Sequence, residues 1–280
     1  KDPAPPVLAV GAELKNTVCL TKNGNAFVSQ HIGDLENAET LSFFELTVDH
    51  LSRILDIRPE IVAHDLHPDY LSTTWAVAQE IPRIAVQHHH AHIAACLAEH
   101  RIDGPVIGLS FDGTGYGPDR TVWGGEILIA DTAGFRRAAM LAPVRMPGSS
   151  AAIREPWRMG VSYLHHAFGA SFPSLDLSML ARIGPEKIRV AAEMIEKGIN
   201  APFTSSLGRL FDGIAAICSI RDRVAFEGQA AMELEMRSAQ EETELYAFEW
   251  SHGPVRTVSV DPMIRQIVSD LTTGLSTARI

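Results

Sequence analysis

The feature that most constrains this chain is a strand pattern that opens twice. Val7-Leu8-Ala9-Val10 reads as a strand with a turn at Gly11-Ala12-Glu13 behind it, and Thr17–Thr21 and Ala26–Gln30 read as two strands joined across Asn23-Gly24. An Asn-Gly pair between apolar runs is a strong hairpin signal, because both residues accept positive φ. Leu41, Phe44, Val48, Leu51, Ile54 and Leu55 then recur at near-helical spacing, which predicts a helix over Glu39–Leu55. Ile61-Val62-Ala63 is a short buried strand, Tyr70–Glu80 a helix and Ile84-Ala85-Val86 another strand. The second opening is Val106–Phe111, running into Asp112-Gly113-Thr114-Gly115-Tyr116-Gly117, with strands at Glu126–Ala130 and Phe135–Met140. Pro143, Pro147 and Gly148 separate these strands from a largely helical region between Ile153 and Ala247, where Pro156 fits only a first turn. This is a duplicated α/β chain: residues 1–6 as the remnant of a linker, 7–104 as a first lobe, 105–280 as a second lobe with a large helical insertion. The second copy lacks the strands expected after its helices, and these are expected beyond Ile280.

Composition narrows the function classes. A chain of 280 residues that is 46% hydrophobic has ample material for a core. Its formal charge of -10 argues against a broad phosphate-backbone surface, so no DNA partner is expected, although a small anion site lined by glycine amides remains open. Cys19, Cys96 and Cys218 are too scattered for a zinc knuckle or a disulfide framework, which favours a reducing, cytoplasmic setting. No apolar run is long enough to span a bilayer, and the opening Lys1-Asp2-Pro3-Ala4-Pro5-Pro6 has the character of a linker rather than a secretion signal. Leu275–Ile280 carries no helix-stop signal, which predicts a chain cut inside an element.

The most informative polar run is Gln87-His88-His89-His90-Ala91-His92, between a short apolar strand and a predicted helix. Residues four apart share a helical face, so His88 and His92 can converge on one ion while His89 and His90 point elsewhere. The competing reading is hydrogen bonding at a helix start, or plain solvent exposure. Two histidines need further ligands, and Asp112 or a group beyond Ile280 would complete the shell.

The two turns after the opening strands offer Gly11, Glu13, Lys15 and Asn16, then Asp112, Gly113, Thr114, Gly115 and Gly117. Glycines let backbone amides approach a phosphate, Lys15 would neutralise it and Asp112 would orient metal or water; an ordinary glycine-rich turn is the alternative. Ser205 or Ser206 would cap the helix that follows, while Gly208 leaves room for a flat ligand and Asp212 could accept from ribose hydroxyls. Glu227-Gly228-Gln229 likewise permits close approach. Asp65, His67, Pro68, Asp69 and Tyr70 form a polar strand-to-helix junction in which Asp69 would cap the helix. No nucleophile elbow surrounds any serine, and Cys19 reads as an inert strand thiol.

Taken in order, Gly11–Thr17, Ser29–Leu35, Asp65–Tyr70, Gln87–His92, Phe111–Gly117, Ser206–Asp212 and Glu227-Gly228-Gln229 resemble the HypF family of hydrogenase-maturation carbamoyltransferases. The likeness is to the domain related to the universal tRNA threonylcarbamoyl-transfer protein, and it covers nearly the whole chain. It implies a duplicated actin-like or sugar-kinase-like ATPase fold with ribonuclease H-like lobes, the second incomplete at its C-terminus. It further implies transfer of a carbamoyl group from carbamoyl-adenylate, made from ATP in a missing upstream domain, to the C-terminal cysteine of a HypE-like maturation partner, for cyanide synthesis. His88 and His92 match the family's metal pair, Asp112 and Gly113, Thr114, Gly115 and Gly117 its phosphate and adenylate loop, and Gly208, Asp212 and Gly228 its nucleoside-facing positions. The divalent metal would be iron, zinc, manganese or magnesium. Lys15 is an electrostatic candidate only. Transfer to a small-molecule hydroxyl, and a noncatalytic partner-docking role, are the alternatives.

Overall fold

The computed structural model describes residues 4–239 and 243–280; Lys1, Asp2 and Pro3 of the expected linker, and 240–242 of the expected helical region, lie outside the described residues. The chain divides into two compact units: residues 1–91 with 116–118, and 92–115 with 119–280.

The first unit contains β1 (Val7–Ala9), β2 (Cys19–Lys22), β3 (Asn25–Val28), α1 (Ala38–Leu55), β4 (Ile61–Asp65), α2 (Leu71–Val77) and β5 (Arg83–Val86), followed by α3 (His88–His100), within which the division falls. Its sheet runs β3-β2-β1-β4-β5. The three opening strands are antiparallel, with Leu8 opposite Leu20 and Cys19 opposite Val28, whereas β4 and β5 are parallel to β1. This is the strand order of a ribonuclease H-like lobe. Asn23 and Gly24 both take positive φ, 52° and 77°, as the hairpin requires. Asn37 starts α1 by accepting from the Thr40 amide at 2.8 Å, and Asp56 closes it in the left-handed conformation. Leu8, Leu20, Leu35, Phe44 and Val62 form the core, and Phe44 meets Trp75 edge-on at 5.3 Å.

The second unit opens on β6 (Val106–Tyr116), β7 (Val122–Ala130), β8 (Phe135–Leu141) and β9 (Val144–Arg145). Helices follow: α4 (Ser150–Arg154), α5 (Trp157–Phe168), a 3-10 turn over Gly169–Ser174, α6 (Ser178–Ile183) and α7 (Pro185–Lys197). After β10 (Phe203–Thr204) come α8 (Leu207–Ile217), α9 (Gln229–Arg237), β11 (Glu249–Trp250), β12 (Arg256–Ser259) and α10 (Asp261–Thr272). Pro156 sits at the start of α5, where its missing amide hydrogen costs nothing. The sheet runs β11-β12-β8-β7-β10-β9, with β6 paired to β7. β7 and β8 are antiparallel, and β6 pairs with β7, so the second unit, like the first, opens on three consecutive paired strands. Among the described residues no strand pairs with the other side of β6, and Ile107, Leu109 and Phe111 on alternate positions are 74%, 60% and 53% exposed.

Two expectations are corrected here. The glycine-rich segment is strand through Tyr116 rather than a turn from Asp112, because β6 continues along β7 and the chain reverses only after it. The last helix closes at Thr272, with Gly274 at φ 84° behind it, so Leu275–Ile280 lies outside any helix. Within β7, Glu126 is fully buried; it accepts from Arg137 Nε at 2.6 Å and from Ser205 Oγ at 2.5 Å, so this charge is matched inside the fold. Burial pushes the Cys218 thiol up to about 12, and burial also raises that of Cys19, so both remain protonated at neutral pH.

Phe44→Ala is expected to cost about 3–5 kcal/mol, since it removes a fully buried ring and its edge contact to Trp75. A urea titration followed by tryptophan fluorescence measures this.

Candidate functional site

In the first unit the turn behind β1 is locked by its own backbone. Gly11 has φ 67°, and a Cβ there would lie 2.7 Å from the Thr17 carbonyl oxygen. Asn16 is buried and donates through Nδ2 to the Val10 and Ala12 carbonyls at 2.8 and 2.6 Å. Glu13 accepts from the Leu71 amide at 2.8 Å, so the first amide of α2 is satisfied by Glu13 and not, as the sequence suggested, by Asp69. Lys15 takes φ 50°, its amide donating to Asp34 Oδ1 at 2.7 Å and its side chain exposed.

α3 carries His88 and His92 one turn apart on one face. Gln87, just before it, caps the helix: its Oε1 accepts from the His90 amide at 2.9 Å, and its Nε2 lies 3.1 Å from His89 Nδ1. His89 is therefore fully buried against the cap, separate from the His88 and His92 face. His88 Nδ1 is 2.7 Å from Asp65 Oδ2, and Asp65 Oδ1 accepts from the His67 amide at 2.8 Å. A carboxylate on Nδ1 fixes the tautomer that puts the lone pair on Nε2, the arrangement seen behind metal-bound histidines. His67 stacks on Tyr70 with ring centroids 4.1 Å apart, and burial lowers its pKa despite Asp69 and Asp65 nearby.

In the second unit His92 Nε2 lies 3.8 Å from Asp112 Oδ2, too long for a hydrogen bond and close to the spacing of two ligands on one ion. An imidazole and a carboxylate are donors that suit a divalent metal of borderline softness. Asp112 and Gly113 are gripped from α8. Ser206 Oγ sits 2.8 Å from both of their carbonyl oxygens and accepts from the Arg209 amide at 3.2 Å, so one hydroxyl caps the helix and fastens the strand. A Cβ on Gly208 would fall 2.8 Å from Gly113 Cα, and one on Gly124 would fall 2.4 Å from the Asp112 carbonyl oxygen. Gly208 thus admits the backbone of Gly113. Asp212 is 3% exposed and its Oδ2 pairs with Arg209 Nη2 at 3.0 Å. Burial pushes its pKa up to about 6, against the pull of Arg209. Thr114 is half-buried and Gly115 buried along β6, while Gly117 is buried in the segment after it. Gly228 starts α9 at φ 75° with open space around it. Sequence reasoning gave no role to Arg209, although it stands inside the Ser206–Asp212 run; its sign was a cation directly after a glycine in an apolar helix.

The first sheet's order, the second run of three consecutive paired strands and the histidine face of α3 define an actin-like α/β domain of the type called Kae1-like. Two family descriptions cover the chain: HypF Kae1-like domain over residues 2–99, and carbamoyltransferase, Kae1-like domain, second subdomain, over 108–280. The chain belongs to the HypF carbamoyltransferase family. It is 48% identical over 235 residues to carbamoyltransferase HypF2 of Cupriavidus necator, covering 82% of this chain and 28% of that protein. It is 39% identical over 279 residues to HypF of Synechocystis, covering 94% and 36%. A crystal structure of full-length HypF in the phosphate- and nucleotide-bound form matches with a TM-score of 0.92 at 40% identity, over 99% of this chain and 36% of that one. The chain thus spans about a third of the length of these relatives. Among the described residues no helix is long and apolar enough to cross a membrane.

Two outcomes follow from this geometry. Gly208→Ala should cost about 1–3 kcal/mol in chemical denaturation, because the new methyl meets strand backbone rather than a yielding side chain. Because the folded pKa of Asp212 lies above its unfolded value, the folded chain binds the extra proton; its carboxyl therefore favours folding below about pH 4 and loses that advantage as pH rises towards 6. The stability of the parent chain relative to Asp212→Asn should accordingly fall between those values and level off above pH 7, measured by urea midpoints across the range.

Proposed function

We propose that this chain is the part of a cytoplasmic HypF-type enzyme that transfers a carbamoyl group from carbamoyl-adenylate to the C-terminal cysteine of a HypE-like partner, on the way to the cyanide ligand of nickel-iron hydrogenase. The observation that carries the reading is the match, over 99% of the chain, to a HypF structure that holds phosphate and nucleotide. The Asp112–Gly113 junction supports it, since its backbone is immobilised by Ser206, Gly208 and Gly124 and can meet an anion without reorganising.

The partner's thiolate attacks the carbamoyl carbon, a carbon–sulfur bond forms, and the carbon–oxygen bond to the adenylate phosphate breaks, so AMP leaves with the electron pair. Asp112, Gly113, Thr114, Gly115 and Gly117 are assigned to the phosphate side, with Lys15 adding positive charge, and Gly208, Asp212 and Gly228 to the nucleoside side. His88, His92 and Asp112 would hold a divalent cation, which supplies Lewis acidity at the phosphate and carbonyl oxygens when bound. Asp65 would keep His88 in its ligating tautomer. Three free cysteines, one of them exposed, accord with a reducing compartment.

Calorimetric titration of ATP into the 280-residue chain, with and without a divalent metal, tests this. Saturable binding that requires metal and weakens about tenfold or more in His88→Ala or His92→Ala is the expected result. Folded chain that takes up no ATP under either condition would reject the assignment. With carbamoyl-adenylate supplied, a cysteine-terminated peptide should be carbamoylated and a sugar alcohol should not; the reverse would redirect the activity to hydroxyl acceptors.

A further inference from the structure

Arg209 is an unusual residue to find buried in the first turn of an apolar helix. It is 5% exposed, and its Nε and Nη1 are buried without a hydrogen-bond partner. Among the described residues the carboxylate paired with it is Asp212, whose Oδ2 lies 3.0 Å from Nη2 and itself receives no hydrogen bond. The phenol of Tyr163, also buried, feels both charges, and burial raises its pKa. A guanidinium offers five donors in a planar fork, and leaving buried donors unmatched is costly, so this one is poised for an acceptor that the protein does not supply.

The direction from which an acceptor can come is set by glycine. A Cβ on Gly113 would lie 3.6 Å from Arg209 Nη2, so the missing side chain leaves a gap between the guanidinium and the strand surface at Asp112–Gly113. Ser206 holds that strand and the start of α8 together, which fixes the gap. By contrast Arg137, half-buried in the same unit, is used up: it bonds Glu126, Asp119 and Ser205 and lies 3.9 Å above the Trp123 ring.

We propose that Arg209 is the anion-recognising side chain of this site, turning about its terminal torsions to donate across Gly113 to a phosphoryl oxygen of the bound nucleotide. The inference rests on the nucleotide reading above but assigns a residue and a contact that the reading does not contain. The planar fork matches two phosphate oxygens, which an ammonium does not.

The test is calorimetric titration of AMP, adenosine and inorganic phosphate, with divalent metal present, into the 280-residue chain and its Arg209→Lys and Gly113→Ala variants. Arg209→Lys should weaken AMP and phosphate about tenfold or more, while adenosine changes less than about twofold. Gly113→Ala adds only an ordinary contact at 3.6 Å, so it keeps the fold while closing the gap, and should show the same selective loss. If Arg209→Lys does not fold, as judged by circular dichroism, Gly113→Ala alone decides. Equal loss of AMP and adenosine, or no loss of AMP, overturns the inference. Adenosine binding with no gain from the phosphate overturns it and leaves a nucleoside site standing. Phosphate binding lost in Arg209→Lys without any adenosine binding upholds the anion contact of Arg209 and overturns its assignment to a nucleotide. No binding of any of the three overturns both.

Discussion

The close approach of Asp112–Gly113 to the start of α8 is the constraint on which the second unit is organised. Three backbones come together where Gly113, Gly124 and Gly208 lack side chains, and a single hydroxyl, Ser206 Oγ, serves the strand carbonyls and the helix amide. Hydrogen bonds of this kind contribute modestly one by one. Their weight here comes from geometry, since they hold a carboxylate-bearing strand at contact distance from a helix end whose amides carry partial positive charge. The position of Asp112 beside His92 follows from that clasp as much as from α3.

Buried charge is handled in two ways around this junction. Glu126 and Arg137 are matched by Ser205, Asp119 and the Gly124 and Gly125 amides, a saturated network that makes the sheet rigid. Arg209 and Asp212 pair with each other, with donors left over and a carboxyl whose pKa burial raises. A saturated network specifies a fold, whereas an unsaturated one within reach of the site is suited to chemistry. In the first unit the polar groups divide likewise: Glu13 and Asn16 are spent on closing turns, and Asp65 on orienting His88.

Much of the first lobe was legible because its signals are local. Asn23-Gly24, the apolar period from Leu41 to Leu55 and the alternation after Val7 each report one element, and β1, β2, β3 and α1 stand within a few residues of where they point. What stayed hidden depends on distant partners. β9, β10, β11 and β12 run for two to four residues, too short for a periodic signal, and exist only by pairing with β7, β8 and one another. Asp69 has a good capping composition, yet Glu13, 58 residues before Leu71, reaches that helix amide first. The pairing of His88 with His92 was readable from a four-residue spacing, but the link from His88 to Asp65 was not, because nothing local joins a strand end to a helix 23 residues later. Arg209 was hidden for a different reason: a charged residue in an apolar helix reads as a surface position unless its burial is known.

The exposed stripe of β6 bears on how such a chain behaves at the bench. Ile107, Leu109 and Phe111 present an apolar ladder on a strand that has one lateral neighbour among the described residues, so its backbone offers a ready template to any extended segment it meets. Concentration therefore becomes an experimental variable in its own right: colloidal association through this edge would compete with, and imitate, the heat of ligand uptake. A solubilising substitution such as Leu109→Lys would report on the stickiness of this edge.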